Sequence, residues 1–205
     1  MSKFLFRTRE IIQGDWEIRD LNLLLVFQVN CPGCFMHAYP LALELRERYE
    51  PEQLNILTMT TAFEDFELNT PDNARALVEQ GLIVGETARA FAGMDHRGLP
   101  YEVSLPLAVD LLGAPTEIFG DEEVDFITKL VPGHEHLAEK EKNLLHARVR
   151  EFISRGALAS YSFIVNQMRG TPSWVLFRRD GELLDHWFGH REAEAVIERL
   201  DQEMS

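Results

Sequence analysis

Residues 21–29 form a nearly unbroken apolar run, Leu-Asn-Leu-Leu-Leu-Val-Phe-Gln-Val, rich in strand formers. Such a run predicts a central strand buried on both faces rather than a half-exposed one. From Phe35 the pattern changes to a helical stripe, with Phe35, Ala38, Leu41, Ala42, Leu45 and Tyr49 on one face. Pro51 closes this helix, because the residue before a proline is pushed out of the α region, and Pro40 within it predicts a kink. Residues 54–60 read as the next strand. Strand, helix and strand over about 40 residues make a βαβ unit with parallel strands.

Residues 71–80 are predicted helical, with Thr70 as N-cap, Pro71 at the first position and Gly81 just past the end. A short helix follows at 86–92 and a strand at 105–111. The segments 122–130 and about 134–155 are helical and heavily charged, broken at Gly133 and Gly156, and 158–168 continues as helix or helical turn. Residues 173–178 and 182–188 flank a turn at Arg179-Asp180-Gly181, a β-hairpin signal. Residues 191–200 close the chain as an amphipathic helix with Ala195, Val196 and Leu200 inward. The expected organisation is one α/β domain over residues 1–205, with a helical insertion at about 113–160.

Composition narrows the function classes. The 205 residues are 45% hydrophobic and carry a formal charge of −14. That charge repels nucleic acid and anionic membranes, so neither is expected as a partner. No apolar run approaches the ~18 residues of a membrane span. Closely spaced charges in the first seven residues do not fit a secretory leader, and the expected compartment is cytoplasmic.

The chain has two cysteines, in the run Cys31-Pro32-Gly33-Cys34. This spacing serves both metal and redox sites, but a zinc site needs four ligands and there is no second pair, so no metal is expected. The run lies where a buried strand ends and a helix begins. Unpaired first-turn N–H groups and the helix dipole there favour thiolate at Cys31, making it the nucleophile. Cys34, one turn inward, is placed to resolve a mixed disulfide. Pro32 and Gly33 form the helix start, where the missing proline N–H costs nothing. The bland alternative is a pair of buried, inert thiols.

With these residues, the chain resembles the thioredoxin superfamily and, within it, the TlpA-like and peroxiredoxin-like branch. The resemblance rests on Cys31-Pro32-Gly33-Cys34, on Gly170-Thr171-Pro172 followed by Trp174-Val175-Leu176-Phe177, on Asp180-Gly181-Glu182-Leu183-Leu184 and on the closing helix. It covers roughly residues 15–110 and 160–203, with 61–78 resembling the loop and helix after the second core strand. It implies a thioredoxin-like fold, a central mixed sheet flanked by helices, with the helical insertion placed before a cis-proline. It further implies that Pro172 is that cis-proline, lying against the redox pair, and that the Thr171 backbone pairs with a bound substrate chain. The implied activity is thiol–disulfide oxidoreduction without a bound organic cofactor. Partners would be a disulfide- or dithiol-containing protein or small molecule, and a redox partner reductase.

Three positions depart from the family pattern. Asn30 stands where Trp is common, Leu25 where thioredoxins bury an Asp, and Pro40 lies one residue later than the usual kinking proline. Alternatives remain: a non-catalytic thioredoxin-fold binding module using the insertion as its surface, a DsbA-like oxidase, and a peroxidase. Gln28 and Leu24 stand where peroxiredoxins have Thr and Pro, which speaks against the last.

Other candidates read as structural. His37, one turn past Cys34, is expected at the surface. His134-Glu135-His136, even with His186 and His190, reads as a solvated helix start, since residues two apart diverge on a helix. The charge-laced segment 139–151 reads as a solvated face. Trp174, Trp187 and Phe188 are expected to pack in the hairpin core.

Overall fold

The computed structural model describes residues 3–204. Its centre is β2 (Leu21–Phe27), every residue of which is buried, as an unbroken apolar strand must be. β2 pairs in parallel with β3 (Asn55–Thr60) and antiparallel with β7 (Ser173–Arg178). β3 pairs in parallel with β4 (Leu107–Asp110), and β7 forms a hairpin with β8 (Leu183–Phe188). With β1 (Thr8–Gln13) antiparallel to β4, the order of the six-stranded mixed sheet is β1-β4-β3-β2-β7-β8.

Alternation along the strands separates two cores. Leu23, Leu25 and Phe27 meet α1 (Tyr39–Arg48), α2 (Pro71–Gln80), α3 (Gly85–Ala92) and α8 (Ala193–Met204) in one cluster, which also holds Cys34. The expected stripe from Phe35 to Tyr49 is buried throughout. Leu24, Val26, Val175 and Phe177 face the other way, where Phe4, Phe6 and Trp16 of the N-terminal segment cover them. In α8, Val196 and Leu200 are buried as expected, but Ala195 is exposed and Ala193 packs instead.

α2 starts and stops as its sequence dictates. The Asn73 N–H donates to the Thr70 hydroxyl, and Gly81 ends the helix at φ +66°, a conformation glycine adopts without strain.

Between β4 and β7 lie α4 (Pro115–Ile118), α5 (Asp121–Lys129), a 3₁₀ turn (His134–His136) and α6 (Glu139–Ile153). A short antiparallel ribbon of β5 (Leu112–Gly113) and β6 (Ala159–Ser160) draws their two ends together. Ile118, Phe119, Val124, Ile127 and Ile153 form a separate cluster with Tyr161 and Val165.

Two expectations need correction here. The segment 134–155 is not one helix: Leu137 and Ala138 are extended, and α6 begins at Glu139 because Glu141 reaches back to the Ala138 N–H. Nor does 158–168 form a continuous helix. Ser160 is held extended by hydrogen bonds of its hydroxyl with the Ala62 N–H and carbonyl, and only α7 (Tyr161–Val165) is helical. The buried Asp110 carboxylate accepts the N–H groups of Ser162 and Phe163 and the Thr61 hydroxyl, which fixes where α7 starts.

Candidate functional site

At the end of β2, helical backbone begins at Pro32, directly after Cys31. Cys31 and Cys34 are joined as a disulfide, with their Cα atoms 5.4 Å apart. The two sulfurs differ in access: Cys34 is fully buried in the main core, whereas Cys31 is half-buried.

The predicted kink takes the form of a widened turn. Residues Cys34–Ala38 are π-helical, with the Tyr39 N–H donating to the Cys34 carbonyl, and the regular helix starts only at Tyr39. In this pattern the Phe35 carbonyl would take its hydrogen from Pro40, which has none. The Tyr101 hydroxyl donates to it instead. Tyr101 stacks on Tyr39, whose hydroxyl accepts the Leu105 N–H. Burial pushes the Tyr39 and Tyr101 phenols well above their ordinary range, so both stay protonated.

Chain-distant Thr171 and Pro172 come to the same place. The Thr171–Pro172 peptide is cis, and the Thr171 carbonyl oxygen lies 3.6 Å from Cys31 Sγ. In the disulfide this is a contact; in the dithiol the S–H can donate across it. The Thr171 hydroxyl donates to Gln28 Oε1 at 3.2 Å, and Gln28 Nε2 donates to the Glu64 carbonyl. Buried Gln28 thus ties the 171–172 loop to the loop after β3. Pro172 in turn accepts the Gly189 N–H at 2.8 Å. Among the described residues the Thr171 N–H has no hydrogen-bond partner.

Asn30 is the second organiser. Its N–H donates to Asn69, its side-chain amide donates to Asp65, and its Oδ1 accepts the Glu86 N–H at the start of α3. Gly85 makes room for this: at φ +52°, a Cβ there would lie 2.2 Å from Asn30 Oδ1. Leu25 is fully buried among apolar side chains, so no carboxylate occupies the place where thioredoxins bury theirs.

The remaining candidates separate. His37 is exposed and its ring lies 5.5 Å from that of His190, beside a small cavity of about 100 Å³ that Gly33 and Pro172 also line. His134 and His136 sit on the insertion, and no group of three or more metal-ligating side chains occurs among the described residues. Trp174 and Trp187 stack in the core, whereas Phe188 is 54% exposed and packs on Gly170. On α6, Val149 and Ile153 turn inward and Leu144 and Phe152 outward.

Sequence reasoning passed over Tyr101, noticed Asn30 and Gln28 only as departures from family patterns, and weighed His190 only as a metal ligand. The available signal was polar residues ending an otherwise apolar strand. Tyr101 had none, since its role depends on a backbone carbonyl orphaned 66 residues earlier.

This arrangement of sheet, helices and cysteine pair is the thioredoxin-like fold. Across 99% of this chain and 96% of the other, it superposes on a thiol-disulfide isomerase from Corynebacterium glutamicum with a TM-score of 0.60 at 16% identity. A thioredoxin-like superfamily protein gives 0.59 at 18% identity, covering 100% and 97%. No protein-family model and no curated protein sequence matches the chain.

Proposed function

We propose that this chain is a TlpA-like thiol–disulfide oxidoreductase acting on disulfide- or dithiol-containing substrates. The observation that carries the reading is the asymmetry of the pair: a half-buried Cys31 at a helix start, facing the Thr171 carbonyl, with Cys34 buried behind it. The parallel strand β4 between β3 and the edge strand β1 supports a TlpA-like rather than a DsbA-like arrangement.

In the reducing direction the Cys31 thiolate attacks one sulfur of the substrate disulfide and the other sulfur leaves as thiolate. Cys34, deprotonated, then attacks Cys31 Sγ, and the second substrate thiol departs. Two electrons pass from the dithiol to the substrate, and the protein is left as the Cys31–Cys34 disulfide. Oxidation of a substrate dithiol runs the same steps backwards. Thr171 and Pro172 shape the surface against which the substrate strand lies.

In a Cys34→Ser variant the second step is blocked, so mixed disulfides accumulate on Cys31 and mass spectrometry identifies what is held. The reading fails if nothing is held and the reduced Cys31 thiol titrates as an ordinary thiol near ~8.5.

A further inference from the structure

The two faces of the sheet are covered unequally. Four helices pack on one, whereas the other carries the aromatic side chains of the N-terminal segment. On this second face a groove of about 550 Å³ runs between the β7–β8 hairpin and the segment leading out of α7. Its apolar lining includes Met168, Val175 and the exposed Phe188, and its cationic lining is Lys3 and Arg169, with His186 beside them. No carboxylate lines it among the described residues, although the chain has 34 acidic side chains against 20 Lys and Arg. Lys3 and Arg169, like Arg9, Arg46 and Arg148 elsewhere, are in no ion pair among the described residues, so both can meet a partner's carboxylate; what sets the groove apart is the lack of any carboxylate in its lining.

The groove lies beside the segment that carries Thr171 and Pro172, with Arg169 and Ser173 in its lining. Arg169 precedes Thr171 by two residues, and Phe188 packs so closely on Gly170 that a Cβ there would meet its ring at 2.6 Å. The next residue, Gly189, donates its N–H to Pro172. A chain lying along Thr171 and continuing over Phe188 would enter a trough of apolar wall and positive charge.

We propose that this groove docks an extended segment of the substrate polypeptide in which carboxylates alternate with apolar side chains. This rests on the redox reading for what the docked chain is, but the docking itself does not depend on reactive thiols. Charge sets the class. At −14 the molecule repels acidic chains over most of its surface, so an apolar trough lined by two cations and no carboxylate favours them there. Apolar side chains of the segment would cover Phe188 and the half-buried Met168, and carboxylates would pair with Lys3 and Arg169.

The test uses a fluorescein-labelled, cysteine-free ten-residue peptide alternating Glu with Leu and Phe, titrated with the oxidised full chain and followed by anisotropy. A Gln-for-Glu peptide is the control. The Glu peptide should bind the wild type roughly 5-fold or more tightly than the Gln peptide, and the preference should shrink between 50 and 500 mM salt. In a Lys3→Glu/Arg169→Glu variant the preference should vanish, and a Lys-for-Glu peptide should bind in its place, which also shows that the variant is folded. Equal or undetectable binding of the Glu and Gln peptides to the wild type, or a preference that survives charge reversal, overturns the proposal. Exchange of the reduced wild type with hydroxyethyl disulfide is measured separately. Its absence would count against the redox reading and leave the anisotropy result to decide the groove.

Discussion

At the scale of single residues, the site depends on polar side chains that repair or pin the backbone around the cysteines. Tyr101 supplies the hydrogen that Pro40 cannot give to the Phe35 carbonyl. Tyr101→Phe leaves that carbonyl unpaired under the redox turn and should cost about 1–3 kcal/mol in urea unfolding. An unchanged midpoint would show that the widened turn does not need the hydroxyl. Gly85 is constrained by Asn30 and by its own positive φ. Gly85→Ala should lose about 1–3 kcal/mol, and part of that loss should disappear in an Asn30→Ala background, where the clashing amide is gone. Strictly additive effects of the two changes would contradict the contact. Cys31, Cys34, Thr171 and Pro172 were legible because each carries a motif in sequence. Gln28 and Tyr101 were not, because their partners lie on other segments.

At the scale of elements, local signals served best where local chemistry decides. The cap at Thr70 and the stop at Gly81 fix α2, and the apolar run 21–29 could only be a central strand. Sequence pattern failed at 134–138, where the cap from Glu141 delays α6, and at 158–168, where a buried carboxylate and a ribbon of two residue pairs override helical periodicity. In the second stretch Asp110 holds the first N–H groups of α7. Burial pushes its carboxyl above the usual range, although hydrogen bonds from Ser162, Thr61 and Phe163 pull the other way. The native state then holds the Asp110 proton more tightly than the unfolded chain does. Its titration therefore favours folding fully below the unfolded pKa of about 3.9, and that contribution is lost as pH rises through the raised native value. Asp110→Asn should destabilise the protein by about 1–3 kcal/mol. The gap to wild type should narrow as pH rises from about 3 towards 7; a gap that widens would reverse the sign of the shift.

At the scale of the whole molecule, the fold separates the sheet that carries the cysteine pair from a helical excursion closed at its base. Leu112 pairs with Ser160 and Gly113 with Ala159, so the ends of the excursion stand one strand spacing apart. Replacing residues 114–158 with an Asn-Gly turn should leave a cooperatively folding sheet that still exchanges disulfides. Stability should fall by about 2–5 kcal/mol as Tyr161 and Val165 lose apolar cover. Loss of all cooperative unfolding would show that the excursion is integral to the core.

The most direct test of the central claim is to equilibrate the wild-type protein with glutathione and glutathione disulfide over a range of ratios, then quench with acid and weigh it. The expected result is a single two-electron transition between the Cys31–Cys34 dithiol and its internal disulfide, with mixed disulfide only a minor species because Cys34 resolves it. A protein that never changes mass, or one that stops with glutathione fixed on Cys31 while Cys34 stays free, would contradict it.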